Sequence, residues 1–420
     1  MSIDAAKSQF DHLLDDWVAK AFAKNGNIGF AALLRLLPGC YPTDVVAALL
    51  RKIESKEGER ESVWANQVVI EARQNSTTFS PQDLKWQRPT PHPLDYDWRF
   101  TPESAAVVSD MALDGVRSVG SVALLGTPSV HMLLKKKIGN HRAVLLDRYS
   151  TSENRPSSGW TGDITVDDLP ELKSTVVVLD PPWYPDHICS FLWAAAFVAA
   201  EGAQVICGVP DVGTRPGVEA EWVEIVRWAQ LAGLSLEVLH RGMTEYLTPP
   251  FEANALKAAG IAHVPARWRR GSVAQFRRTG HIKTNRPQLN ESCHWAEESI
   301  GPVRWRLLLG DIRRPSAAPE ITSILPGDIL PSVSRRHPAR QLARVWTSGN
   351  RVFHSENPYM LRRLLRMLQY IDDRPVDLTN IIQRAFPSNV GPKVTAYAEK
   401  ALQAAMRIQQ IEAREYGVQL

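Results

Sequence analysis

The sequence predicts an α/β chain built around a parallel, doubly wound sheet, and three observations carry that expectation. Five short apolar runs recur between residues 122 and 239: Val122–Leu125, Ala143–Leu146, Thr175–Leu179, Ala203–Cys207 and Ser235–Leu239. Most are continuously apolar, as strands covered on both faces are. Stretches of helical character, such as 188–200 and 220–232, alternate with them, which is the pattern of a sheet with helices on both sides.

Composition bounds the rest. The chain has 420 residues, 44% hydrophobic and 22% charged, with a net charge of +4. That length allows two or three domains with their own cores, and the charge is too slight to demand a polyanionic partner. Cys40, Cys189, Cys207 and Cys293 lie far apart without metal-ligand spacing and read as reduced thiols. The eleven histidines are scattered, and no metal site is expected. There is no signal-peptide pattern at Met1–Lys7 and no apolar run of bilayer length, so we expect a cytoplasmic protein with no membrane segment.

Residues 1–73 read as a small module of winged-helix shape. Phe10, Leu13, Leu14, Trp17, Val18 and Phe22 recur at helical spacing, and 31–37 and 44–53 follow as helices, the last with Thr43 as N-cap. The polar stretch Glu54–Ser62 would be the wing hairpin and Val63–Ile70 its return strand. A plain helical packing or dimerisation domain is the alternative, and segment 42–56 lacks the Lys and Arg of a strong phosphate footprint. Residues 74–94, polar and proline-bearing, suit a linker. Thr101-Pro102-Glu103 then starts a helix to about Leu113 by N-cap, proline and acidic first turn. Beyond the five strands, Ile261–Val264 and Ser272–Phe276 are expected to form an antiparallel closing pair. In 286–420, a C-terminal extension, Val303–Leu309 reads as a strand and the end as helices over 359–370 and 394–416. The central domain is thus expected over 95–285.

Ligands of open parallel sheets bind beyond the carboxyl ends of the strands, and three such ends carry suggestive residues. Gly126-Thr127-Pro128-Ser129 follows the first strand, where glycine lets backbone approach a cofactor closely; an ordinary turn is the bland reading. Asp147 ends the second strand about twenty residues later, a position from which a carboxylate can accept both ribose hydroxyls of an adenosine cofactor. Asp163 would end the next strand and face an adenine. The strongest signal is Asp180-Pro181-Pro182-Trp183-Tyr184. Two prolines cannot continue a strand, so the chain turns and aims a carboxylate and rigid carbonyls at one point. These acceptors suit an amino group, and Trp183 or Tyr184 could stack on a planar base or embrace a cation.

At these residues the chain resembles the class I amino-group methyltransferases, whose signature is an acidic or amide residue, two prolines and an aromatic. Its Asp-Pro-Pro-Trp form looks like that of enzymes methylating the adenine amine. The resemblance implies a Rossmann-like methyltransferase sheet, S-adenosylmethionine bound by Gly126, Thr127, Asp147 and Asp163, and a target amine held by Asp180, Pro181, Pro182, Trp183 and Tyr184. The order of an N-terminal module, a linker, the Asp95–Glu103 segment and the sheet also resembles the branched-chain polyamine synthases, which transfer an aminopropyl group. Their acidic loop after the first strand is absent at Gly126–Ser129.

The sequence therefore leaves three functions open: a nucleobase N-methyltransferase, an aminopropyltransferase acting on a polyamine, and a degenerate fold serving as a binding or assembly subunit. The first would bring a nucleic-acid partner, with Arg267–Arg270, Arg277-Arg278 and Ser334–His337 tracking phosphates. The last would bring a protein partner or a second copy of the chain.

Overall fold

The computed structural model describes residues 3–55, 58–74, 89–116, 120–148, 159–289, 295–310, 318–370, 377–386 and 391–417. Most of the expected linker (75–88) and Cys293 lie outside them. Two compact units divide the chain: one draws on residues 1–77, 98–248 and 265–290, the other on 78–97, 249–264 and 291–420.

The first unit begins with four helices, α1 (Ile3–Asn25), α2 (Phe30–Leu36), α3 (Pro42–Ser55) and α4 (Glu59–Arg73). Their buried faces include Leu14, Val18, Phe30, Leu33, Leu49, Trp64 and Val68. The expected return strand Val63–Ile70 is therefore the body of α4. Trp64, Ala65, Val68, Val69 and Ala72 are its buried residues, a period near 3.6 that a strand could not bury on one face. Thr43 is likewise corrected from N-cap to the interior of α3, which starts at Pro42. The helix α2 has no side-chain cap of its own. Its Phe30 N–H donates instead to Glu71 Oε2 at 2.9 Å, and a Cβ on Gly29 would lie 2.6 Å from that oxygen.

The sheet follows, with β1 (Arg99–Phe100), β2 (Val122–Leu125), β3 (Ala143–Asp147), β4 (Gly159–Thr161), β5 (Ser174–Leu179), β6 (Ala199–Pro210), β7 (Leu234–Leu247) and β8 (Arg270–Arg278). Its order is β1-β7-β8-β6-β5-β2-β3-β4. The run β4-β3-β2-β5-β6 is parallel, while β8 runs antiparallel to both β6 and β7. Helices α5 (Pro102–Gly115), α6 (Pro128–Ile138), α7 (Pro185–Val198) and α8 (Val218–Leu231) alternate with the strands. This is a doubly wound, Rossmann-like sheet closed by antiparallel strands. Thr101 caps α5 as its sequence indicates, accepting from Ser104 N–H at 3.2 Å. The closing pair differs from expectation: β8 pairs with β7, and Ile261–Val264 is not a strand. Residue Ile261 instead closes the preceding helix, its N–H donating to Leu256 O at 2.9 Å.

The chain winds outward from β2 through β3 to β4, then returns to place β5 on the other side of β2. The switch point thus lies between the carboxyl ends of β2 and β5, where Gly126 and Asp180 sit. Leu125, Val177, Leu179, Ile188, Leu192 and Phe276 are in the core beneath.

The second unit contains α9 (Pro250–Ala258), an antiparallel sheet of β9 (Trp295–Ile300), β10 (Val303–Leu308), β11 (Thr322–Ser323), β12 (Val345–Thr347) and β13 (Val352–His354), and the helices α10 (Pro358–Gln369), α11 (Leu378–Ala385) and α12 (Pro392–Glu415). The terminal helices match expectation. Of the sheet, ordered β11-β13-β12-β10-β9, only β10 was legible in the sequence. Leu361, Leu364, Leu365 and Leu368 form the buried stripe of α10, against a core with Trp305 and Leu402. Arg304 and Arg306 share Asp95 at 2.6 and 2.7 Å and also meet Glu297. No described helix is long and apolar enough to cross a membrane.

Candidate active site

Gly126 continues the β2–β3 ladder by donating its N–H to Leu146 O at 2.9 Å, and then turns at φ +64°. A side chain there would be strained, and its Cβ would meet the Phe191 ring at 3.4 Å. Thr127 is buried, and its Oγ1 has no hydrogen-bond partner among the described residues. An orphaned hydroxyl in a buried turn is a position that a polar ligand could satisfy. Asp147 is half-buried at the tip of β3, and its carbonyl accepts from Gly162 N–H at 3.1 Å.

Asp163 stands on the loop after β4, where its carboxylate organises its own turn. Oδ1 accepts from Thr165 N–H and Oγ1 at 2.9 and 2.6 Å, and Oδ2 pairs with Arg148. Burial alone would raise this group, but Arg148 and the Thr165 bonds hold it below its ordinary value.

Asp180 follows β5 at once, half-buried. Its Oδ1 accepts from Tyr246 Oη at 2.8 Å. Tyr246 is only 1% exposed, and burial first, then the carboxylate beside it, pushes the phenol well above its usual range. It therefore stays protonated and donates. The double proline makes the expected reversal: Tyr184 N–H donates to Pro182 O at 2.7 Å, and α7 begins at Pro185.

Trp183 differs from the role its position suggests. It is buried, with its edge on Tyr246 (centroids 5.2 Å apart, planes at 89°). Arg269 lies over its face, 4.2 Å from the ring centroid, and at the same distance over Trp98. Trp183 embraces a cation, but an internal one. Tyr184 remains partly exposed.

In two of the runs expected to track phosphates, 267–270 and 277–278, the arginines pair within the molecule. Arg267 pairs with Glu103 and Arg270 with Glu245, while Trp268 is buried between Tyr41 and Trp98. Arg277 makes two bonds to Glu237, at 2.9 and 3.0 Å, and Arg278 donates to Ala199 O. Trp268 is drawn inward, while the ion pairs around it stay partly exposed, with Arg267 at 38% and Arg277 at 40%.

Four features escaped sequence reasoning. Tyr246 lies 66 residues from Asp180, and no local signal links them. Gly208 on β6 leaves their space: a Cβ there would collide with Asp180 Oδ1 and stand 3.1 Å from Tyr246 Oη. Arg269 was seen only as part of a basic run. Asp211, 4% exposed, follows β6 and accepts Val212 N–H at 2.8 Å, with Arg241 at 3.9 Å. The rule that found Asp147 and Asp180, an acid just past a buried strand, would have found it had the strand been read on to Pro210. The α2–α3 turn also reaches this end of the sheet. Gly213 N–H donates to Pro38 O at 2.9 Å, and a Cβ on Gly39 would lie 2.7 Å from Arg270 O.

No family model matches the chain, and no curated protein matches it. Among solved structures it is similar to the branched-chain polyamine synthase of Thermus thermophilus in complex with N4-aminopropylspermidine and 5'-methylthioadenosine. The identity is 16%, covering 69% of this chain and 97% of that one, with a TM-score of 0.48. A mutein of the same enzyme gives 16%, 69%, 99% and 0.47. A second likeness is to the 16S rRNA N2 G1207 methyltransferase of T. thermophilus in complex with AdoMet and guanosine, at 15% identity over 48% of this chain and 45% of that one, with a TM-score of 0.27.

Proposed function

We propose that this chain is an S-adenosylmethionine-dependent transferase that alkylates an amino nitrogen, most simply the exocyclic amine of a nucleobase. The observation that carries the reading is Asp180: a carboxylate on a proline-stiffened turn, fixed by a protonated phenol, at the switch point of the sheet. Gly126, Thr127 and Asp147 fit the cofactor. The first permits close backbone approach, the second has a buried hydroxyl to satisfy, and the third, at a strand tip, would accept ribose hydroxyls. Asp163 would border the adenine through its loop, since its carboxylate is committed to Arg148 and Thr165.

When bound, the cofactor supplies an electrophilic methyl carbon on a sulfonium. Asp180 accepts an N–H of the acceptor and aims the nitrogen lone pair along the line of attack. Fixing two reactants in this way contributes at most ~7–11 kcal/mol. Asp180 can take up the proton that nitrogen loses, so no stronger base is required. With Trp183 covered by Arg269, Tyr184 is the aromatic left to border a planar acceptor. A nucleic-acid partner would have to draw Arg267, Arg270 and Arg277 from their partly exposed ion pairs, which are weak.

A second reading, aminopropyl transfer to a polyamine, is favoured by one observation. Besides Asp180, acids stand at Asp186 in the first turn of α7 and at Asp211 just past β6, residue types that a cationic acceptor needs. A catalytically degenerate subunit that assembles with a protein partner or a second copy is the third.

Thermal unfolding separates the three. A ligand at a hundred times its Kd adds about 2.7 kcal/mol of stability. Stabilisation by S-adenosylmethionine supports methyl transfer, stabilisation by its decarboxylated form supports aminopropyl transfer, and stabilisation by neither supports the scaffold. Asp180→Ala is expected to abolish turnover and keep cofactor binding; a variant that still turns over would remove the role given to Asp180.

A further inference from the structure

We infer that Tyr246 is a positioning residue for the amine-holding carboxylate, an inference that rests on the transferase reading above. Three parts of the sheet build the contact. From β7, Tyr246 Oη donates to Asp180 Oδ1 at 2.8 Å. Its ring is held by Phe100 of β1, with centroids 4.9 Å apart, and by the edge-on indole of Trp183 at 5.2 Å. From β6, Gly208 leaves the gap in which the two oxygens meet, a gap that any Cβ would fill.

Such a contact has two consequences for the reaction. A hydrogen bond to a carboxylate favours its ionised form, so Tyr246 keeps Asp180 an acceptor down to lower pH. It also removes rotational freedom from the carboxylate, so the amine meets an acceptor that is already oriented. The phenol cannot itself serve as the base, because burial and the neighbouring carboxylate keep its proton in place. Its ring touches Trp183 of the motif turn, which suits support of the turn rather than contact with the cofactor.

Tyr246→Phe deletes one oxygen and keeps both ring contacts. The expected result is a fall in kcat of about tenfold or more, from loss of a hydrogen bond to a charged group, with the KM for S-adenosylmethionine unchanged. The acid limb of the kcat–pH profile should move to higher pH, because Asp180 protonates more readily without its donor. Gly208→Ala, which blocks the same contact from the other side, should move the limb in the same direction. An unchanged kcat and an unmoved limb in Tyr246→Phe would overturn the inference.

Should the wild-type chain transfer no group, the transferase reading fails but the contact can still be judged. The Asp180 carboxyl, assigned with Asp180→Asn, is titrated by carbon NMR in the wild type and in Tyr246→Phe. A higher pKa in the variant supports the positioning role, and equal values refute it.

Discussion

The half-buried charges of this protein differ in how their surroundings treat them, and two carboxylates show the range. Asp163 is kept ionised by Arg148 and Thr165. Asp44, on the first turn of α3, is pushed from 3.8 up to about 6, by burial first and by Asp11 second, against the pull of Lys7 and Arg51. Its folded pKa lies above its unfolded one, so the folded state binds the proton more tightly. Stability contributed by the protonated form is present below pH 4, declines as pH rises from about 4 to about 6, and is gone above. Asp44→Asn should match the wild type near pH 4 and unfold at higher temperature or denaturant above pH 6. Equal stabilities at pH 7 would contradict that assignment.

Elements in the first unit depend on one another for their ends. Helix α2 is seven residues long, too short to persist alone in water, and its first turn is completed by Glu71 from α4. Glu71→Ala removes that acceptor from the Phe30 N–H. The expected loss is about 1–2 kcal/mol, read as a lower denaturation midpoint, and Glu71→Gln should restore part of it. The same dependence explains the failed strand assignment. Val63–Ile70 is rich in β-formers, but its burial follows helical spacing once α1 to α3 supply a core. Tertiary packing overrode a local preference.

At the scale of the molecule, each unit has its own apolar core, and the second also has a charged one. Asp95, contributed from the far side of the sheet domain in sequence, receives Arg304 and Arg306, both under 10% exposed. Asp95→Ala leaves the two arginines sharing Glu297 alone, so it should cost up to about 3 kcal/mol, the lower end for a broken buried pair. Calorimetry should show that loss as a lower unfolding temperature. A variant as stable as the wild type would mean the group adds nothing net.

Much of the first unit could be read without coordinates, because its signals are local. Continuous apolar runs mark strands buried on both faces, Thr101-Pro102-Glu103 marks a helix start, and Asp180-Pro181-Pro182 marks a reversal; each depends on backbone chemistry within a few residues. The site was legible to the same extent: the positions of Gly126, Asp147 and Asp180 at strand ends, but not what surrounds them. Tyr246 against Asp180, Arg269 against Trp183 and Glu71 against α2 join residues 41 or more positions apart. No periodicity encodes such pairs, since they arise only when strand order and helix packing bring distant segments within hydrogen-bonding reach. The sequence by itself thus determined which elements form and where the acid is carried. Only the tertiary structure decided which side chains hold that acid in place and which arginines are paired within the chain.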